Sequence, residues 1–215
     1  MLRPAALLLL ALAALVTSAG AQAAEPPEGF APLFDGETLT GWEGKDGVFR
    51  IEEGAIVAGT LKERIPNNEF LCTEKEYGDF ELRLQVKVLG EKPNAGIQFR
   101  SQRVPNHHEV SGYQADVGDG WWGKLYDESR RNRVLAGDKV DLGDKFQPRD
   151  WNDYVIRCEG PRIQLWVNGV QTVDYTETEA AIPLTGRFGL QVHGGPPTEA
   201  WYRNLHVQEL PAKER

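Results

Sequence analysis

The sequence predicts an all-β sandwich or barrel, and three observations carry that prediction. Apolar residues recur with period two, the alternation of a strand whose side chains point to opposite faces. No segment carries the i, i+3, i+4, i+7 spacing of a long amphipathic helix. Gly, Asn, Asp and Pro cut the apolar runs into short pieces, as turns between strands do.

The elements follow in order. MLRPAALLLLALAALVTSAGAQA opens with Arg3, an apolar run from Ala5 to Val16 and Ala21-Gln22-Ala23. This is the pattern of a cleavable secretory signal peptide over residues 1–23, which predicts a periplasmic or secreted protein. The run is shorter than the ~20 residues a membrane span needs. What remains is enough for one domain, expected over 30–210. GVFRIEEGAIVAG reads as two strands around a turn at Glu53-Gly54. In DFELRLQVKV, Phe80, Leu82, Leu84, Val86 and Val88 share one face. WNDYVIRCEGPRIQLWVNGVQTVDY reads as three strands with turns at Glu159-Gly160-Pro161 and Asn168-Gly169, the latter a strong hairpin signal. RFGLQVHGG and WYRNLHVQEL close the domain. The longest stretch without strand pattern runs from about Val117 to Asp150; loops of that length are functional or disordered, and Trp121, Trp122 and Tyr126 argue against disorder.

Composition excludes some classes. The net charge of −8 argues against nucleic acid, whose binding needs a basic footprint. Cys72 and Cys158 are the only cysteines. They would pair in an oxidising compartment or stay buried as thiols, and both readings stand. There is no CxxC and no zinc-ligand spacing.

Splitting the central strands by face brings out a polar set. Gln98 and Arg100 oppose Ile97 and Phe99; Gln114 and Asp116 oppose Tyr113, Ala115 and Val117. Gln191 and His193 oppose Leu190 and Val192; Gln164 and Trp166 oppose Ile163, Leu165 and Val167. A solvated sheet face is the ordinary explanation. Yet planar amides, a guanidinium and an indole also suit a sugar, offering bidentate hydrogen bonds and an apolar platform. The block GYQADVGDGWWGKLYDESRRN continues directly from the Gln114/Asp116 strand and is expected to fold over the same face.

LFDGETLTGW, YGDFELRLQVKV, NAGIQFRS, GYQADVGDGWWGKLYDESRRN, WNDYVIRCEGPRIQLWVNGV and GRFGLQVHGG…WYRNLHVQEL closely resemble the 3-keto-disaccharide hydrolase family, from about Phe30 to Leu210. The resemblance implies a concanavalin A-like jelly roll of two antiparallel sheets with a long loop over the concave face. It also implies cleavage of glycosides whose sugar is oxidised to a ketone at C3. Such a ketone acidifies the C2 proton; a base removes it, an enolate forms and the C1 substituent leaves. On that chemistry His193 or Asp116 is expected as base or acid, His193 being the more natural proton shuttle near neutral pH. Arg100 is expected to hold the enolate oxygen with Gln98 and Gln114, and Glu109, Tyr113 and Tyr126 are further acid/base candidates. Trp166, Trp121 and Trp122 are expected to stack on sugar, with Gln191 beside them. Asp127 and Glu128 are expected to orient Arg130 and Arg131 at the same site.

Other residues read more plainly. Trp42 and Trp151 read as structural, and His206 as an exposed strand residue. His107 and His108 alternate in direction and cannot easily share one ion. A divalent metal has ligands on offer in Asp116, Glu109 and His193, but no spacing demands one. The expected partner is a carbohydrate. The competing readings are a non-catalytic carbohydrate-binding module and a scaffold in an envelope assembly.

Overall fold

The structure is a computed structural model that describes residues 24–213; the expected signal peptide lies outside them. Two antiparallel sheets face each other. The chain supplies β1 (Ala31–Pro32), β2 (Trp42–Glu43), β3 (Phe49–Glu52), β4 (Ala55–Thr60), β5 (Glu69–Thr73) and β6 (Phe80–Gly90). There follow β7 (Asn94–Arg103), β8 (Val110–Gly118), β9 (Leu125–Glu128), β10 (Arg133–Ala136) and β11 (Asn152–Glu159). The last four are β12 (Arg162–Val167), β13 (Val170–Thr176), β14 (Arg187–Val192) and β15 (Thr198–Glu209). The eight-stranded sheet runs β13-β12-β11-β6-β15-β4-β3, with β1 also on β15. The seven-stranded sheet runs β10-β9-β8-β7-β14-β5-β2.

Alternation decides what each sheet buries. Phe80, Leu82, Leu84, Val86 and Val88 of β6 meet Ile97 and Phe99 of β7 and Leu190 and Val192 of β14 in one core. The Phe80 ring packs edge-on to Phe188 at 4.7 Å, and Tyr77 stacks on Phe188 at 4.4 Å.

Two phenols cross this core. Tyr202 of β15 donates to the carbonyl of Gln191 at 2.6 Å and lies 3.3 Å from that of Gly96. Tyr154 of β11 donates to the carbonyl of Asp116 at 3.2 Å. Both rings are fully buried. They fix β7, β8 and β14 at the positions whose side chains face outward.

Three expectations change. The stretch after Val117 is not wholly irregular: β9 and β10 form within it and extend the seven-stranded sheet past β8. Cys72 and Cys158 are both free and buried. They occupy different sheets, and Cys158 points into the core while Cys72 packs with Phe70 and Val110 on the outer side of its own, so no bond can join them. His206 is only 5% exposed, and burial lowers its pKa.

Tyr202→Phe keeps the ring and leaves the Gln191 carbonyl without its donor. Chemical denaturation is expected to show a loss of about 1–2 kcal/mol; an unchanged midpoint would mean the phenol does not hold the strands.

Candidate functional site

The site lies on the outer face of the seven-stranded sheet. Register sets it out in rows. Gln98 of β7 opposes Gln114 of β8, which opposes Tyr126 of β9. Asp116 opposes Gly96, which opposes Gln191. Gly96 is needed there, because a Cβ would stand 2.4 Å from Cδ of Gln114, which lies across it. His193 follows β14, its N–H bonded to the Asn94 carbonyl at 3.1 Å. A small open hollow of about 110 Å³ results, lined by Asn94, Gln114, Asp116, Trp121, Tyr126, Glu128 and His193.

The electrostatics suit proton transfer. Asp116 is 2% exposed; its Oδ1 accepts from Nε2 of Gln114 at 2.6 Å, and its Oδ2 has no protein partner. Burial pushes its pKa up to about 7, helped by the charge of Glu128 and opposed by the Gln114 hydrogen bond. Burial also raises Glu128 to about 7, and Glu109 adds to the shift. Nδ1 of His193 lies 2.6 Å from the Gly194 carbonyl, which can only accept, so Nδ1 carries the hydrogen. In the neutral ring Nε2 is then the lone-pair nitrogen. Trp121, 37% exposed, stands edge-on to Tyr126 at 6.2 Å. An indole and a phenol beside two carboxyls and an imidazole can hold a ring and move protons on it.

The structure brings His193, Asp116, Gln114, Trp121 and Tyr126 together as the sequence suggested. Glu128, expected only as a partner of arginines, joins them because β9 pairs with β8 and places Tyr126 and Glu128 on the Gln114 face. Asn94 was also missed, since it ends a turn and carries no face signal.

Other expectations are corrected. Arg100 does not reach the hollow. A bulge between Phe99 and Gln102 puts it at φ +47°, and it bonds Asp79 at 2.8 Å and the carbonyls of Gly160 and Gly78 at 2.7 and 3.0 Å. It ties the two sheets together and cannot hold an enolate. Trp166 does face outward, but from β12 of the opposite sheet. Trp122 turns away from Trp121 into the core, packing on Phe146 at 5.2 Å. Asp127 is fully buried on the inner side of β9, where it pairs with Arg130 at 2.8 Å and with Arg131. Arg130 lies over the Tyr113 ring at 4.5 Å, so neither it nor Asp127 faces a ligand. Tyr113 donates inward to Glu177 at 2.5 Å. Gln98 and Gln191 are fully buried beneath the hollow rather than lining it. Glu109 stands outside the lining and accepts from Asn68 at 3.0 Å; Asn68 in turn accepts from the Gly194 N–H at 2.9 Å, so Glu109 braces the turn after His193. Among the described residues no group of three or more His, Cys, Asp or Glu side chains is placed to hold a metal ion.

The model of the 3-keto-alpha-glucoside-1,2-lyase-like domain matches residues 29–208. The chain belongs to that family. Its fold is shared by a putative glycosyl hydrolase from Parabacteroides distasonis, at TM-score 0.65 and 20% identity over 86% of this chain and 95% of that one. The carbohydrate-binding module CBM66 from Bacillus subtilis superposes at TM-score 0.62 and 17% identity, over 79% and 96% of the two chains. A levanase of Bacillus sp. (strain L7) is 29% identical over 206 residues, 92% of this chain but 21% of the levanase, so the chain spans about a fifth of that relative. Family and fold together make this a glycosyl hydrolase-like or carbohydrate-binding domain.

The raised Asp116 pKa has a stability consequence. The fold favours the neutral acid, so its contribution is complete below the ordinary value of 3.8 and is lost as pH rises through about 7. Asp116→Asn is therefore expected to be more stable than wild type above pH 7, by on the order of 4 kcal/mol, and nearly equal at pH 4. Thermal unfolding across pH reads this; parallel curves for the two proteins would refute it.

Proposed function

We propose that the protein cleaves 3-keto-glycosides in this hollow, by proton abstraction at C2 and elimination at C1. The observation that carries the reading is the convergence of three proton-transfer groups, His193, Asp116 and Glu128, beside the Trp121–Tyr126 wall. Nε2 of His193 takes the C2 proton. The C–H electron pair becomes the C2=C3 bond of an enolate, whose oxygen accepts hydrogen bonds from a neutral carboxyl and from the Asn94 amide. When the C3 carbonyl re-forms, the pair moves to C1=C2 and the C1–O bond breaks. A protonated carboxyl, Asp116 or Glu128, supplies the proton to the departing oxygen. Water then adds to the unsaturated sugar. No guanidinium is required, which fits the withdrawal of Arg100 into the fold.

Export is proposed with this reading. Cleavage after Ala23 would leave Ala24 as the new amino terminus. Its nitrogen lies 3.1 Å from Oδ1 of Asn204.

Wild type incubated with an aryl 3-keto-glucoside is expected to release the aglycone. His193→Ala, Asp116→Asn and Glu128→Gln should each lower kcat/KM by roughly 10²–10⁴. Release that survives all three substitutions would refute the reading. Sugar binding without turnover would instead favour a binding module, as the CBM66 neighbour is. In either case Trp121→Ala should weaken sugar binding while Trp166→Ala leaves it unchanged, because Trp166 lies on the opposite sheet. Equal losses in a calorimetric titration would contradict the placement.

A further inference from the structure

Beneath the hollow a line of hydrogen bonds runs from Asp116 into the sheet. Nε2 of Gln114 meets Oδ1 of Asp116 at 2.6 Å; Nε2 of Gln98 meets Oε1 of Gln114 at 2.7 Å; Oγ of Ser101 meets Oε1 of Gln98 at 2.8 Å. All four side chains are at most 3% exposed. The backbone is cleared for them. A Cβ on Gly96 would stand 2.4 Å from Gln114, one on Gly112 would stand 2.2 Å from Oγ of Ser101, and one on Gly189 would stand 3.1 Å from Cβ of Gln98. Three glycines thus make room for two amides and a hydroxyl that never touch the hollow's interior except through Gln114.

The line is satisfiable in two directions. In one, every donor points toward Asp116: Ser101 donates to Gln98, Gln98 to Gln114, and Gln114 to a carboxylate. In the other, each amide turns over about its last torsion. A proton on Oδ1 of Asp116 is then donated to Gln114, Gln114 donates to Gln98, and Gln98 donates to Oγ of Ser101. The Ser101 hydroxyl turns to the Phe99 carbonyl, 3.0 Å away. A hydroxyl can end such a line because it both donates and accepts. No group of the line goes unpaired in either direction, which matters because an orphaned buried polar group costs about 1–3 kcal/mol.

We propose that Ser101 and Gln98 are positioning residues of a reversible hydrogen-bond ladder, acting through Gln114 to let Asp116 carry or release a proton on Oδ1 with every ladder group paired. Oδ2 is left free for the ligand throughout. This rests on the reading of Asp116 as a proton-transfer group. The charged and titratable groups that share its surroundings are Glu128 on β9, Lys124 in the turn before it, Tyr126, His193 after β14 and the Tyr154 phenol from below. None of them belongs to the ladder, and all are unchanged by a substitution at Ser101.

The test is a pH titration by NMR of protein labelled in its Asp carboxyls and Gln side-chain amides, with Asp116 assigned by its absence in Asp116→Asn. In wild type the Gln98 and Gln114 amide signals are expected to move with the Asp116 carboxyl, at one midpoint. Ser101→Ala removes the donor to Gln98 in the first direction and the acceptor from it in the reversed one; a stranded amide N–H is tolerated less well than a stranded amide oxygen, so the reversed direction loses more. The Gln98 signal should then stop moving, and the Asp116 midpoint should fall by about half to one pH unit. Ser101→Thr keeps the hydroxyl and should keep the wild-type midpoint. A Gln98 signal that is flat in wild type overturns the proposal. So does an unchanged or raised midpoint in Ser101→Ala, or the same change in the Ala and Thr variants, which would mark Ser101 as a packing residue. If the ladder titrates as described but no 3-keto-glycoside is cleaved, the ladder stands and the proposed reaction falls.

Discussion

The phenols of Tyr202 and Tyr154 cross the core from one sheet and hold backbone carbonyls on three strands of the other. Everything on the outer face of β7, β8 and β14 is placed by that constraint. A strand free to slide by one residue would exchange its polar face for its apolar one. Here the hydrophobic core and the two phenols fix the register, so Gln98, Gln114, Asp116 and Gln191 emerge on one side by necessity. The site is thus a consequence of how the core is closed, even though no core side chain lines the hollow.

What distinguishes this face from an ordinary solvated sheet is burial. Gln98 and Gln191 are fully buried, and Asp116 and Gln114 nearly so. Polar groups kept from water must be paired, and most of these are paired with each other. The exceptions are informative: Oδ2 of Asp116 and Oε1 of Gln191 have no protein partner. A carboxyl held near neutrality with one free oxygen is a strained ground state for the fold and a prepared one for chemistry. The cation-rich cluster of Arg130, Arg131 and Asp127 is different in kind. It lies on the inner side of β9, its charges are matched to Asp127 and Glu177, and it stabilises the sandwich end where β10 and β13 approach.

Much of this was legible in the sequence because strand parity is local. The faces of Gln114 and Asp116, of Gln191 and His193, and the core row of β6 follow from alternation alone. Three things were not local. The bulge that swings Arg100 out of alternation depends on a backbone turn at a non-glycine residue, which no composition signal marks. Trp166 obeys parity, but parity does not say which sheet a strand joins. Trp121 and Trp122 sit in a turn, where neighbours diverge for reasons of φ and ψ rather than period. Glu128 was hidden for a related reason: β9 is short, its pattern is mixed, and only its pairing with β8 reveals which face its carboxyl shares.

A crystal structure of the Asp116→Asn protein soaked with a 3-keto-glucoside tests the central claim most directly. The account predicts one sugar ring in the hollow, with C2 toward Nε2 of His193, the glycosidic oxygen toward residue 116 or Glu128, and an apolar face against Trp121. A ring bound instead on the outer face of the eight-stranded sheet, or one in the hollow with C2 turned away from all three groups, would contradict it.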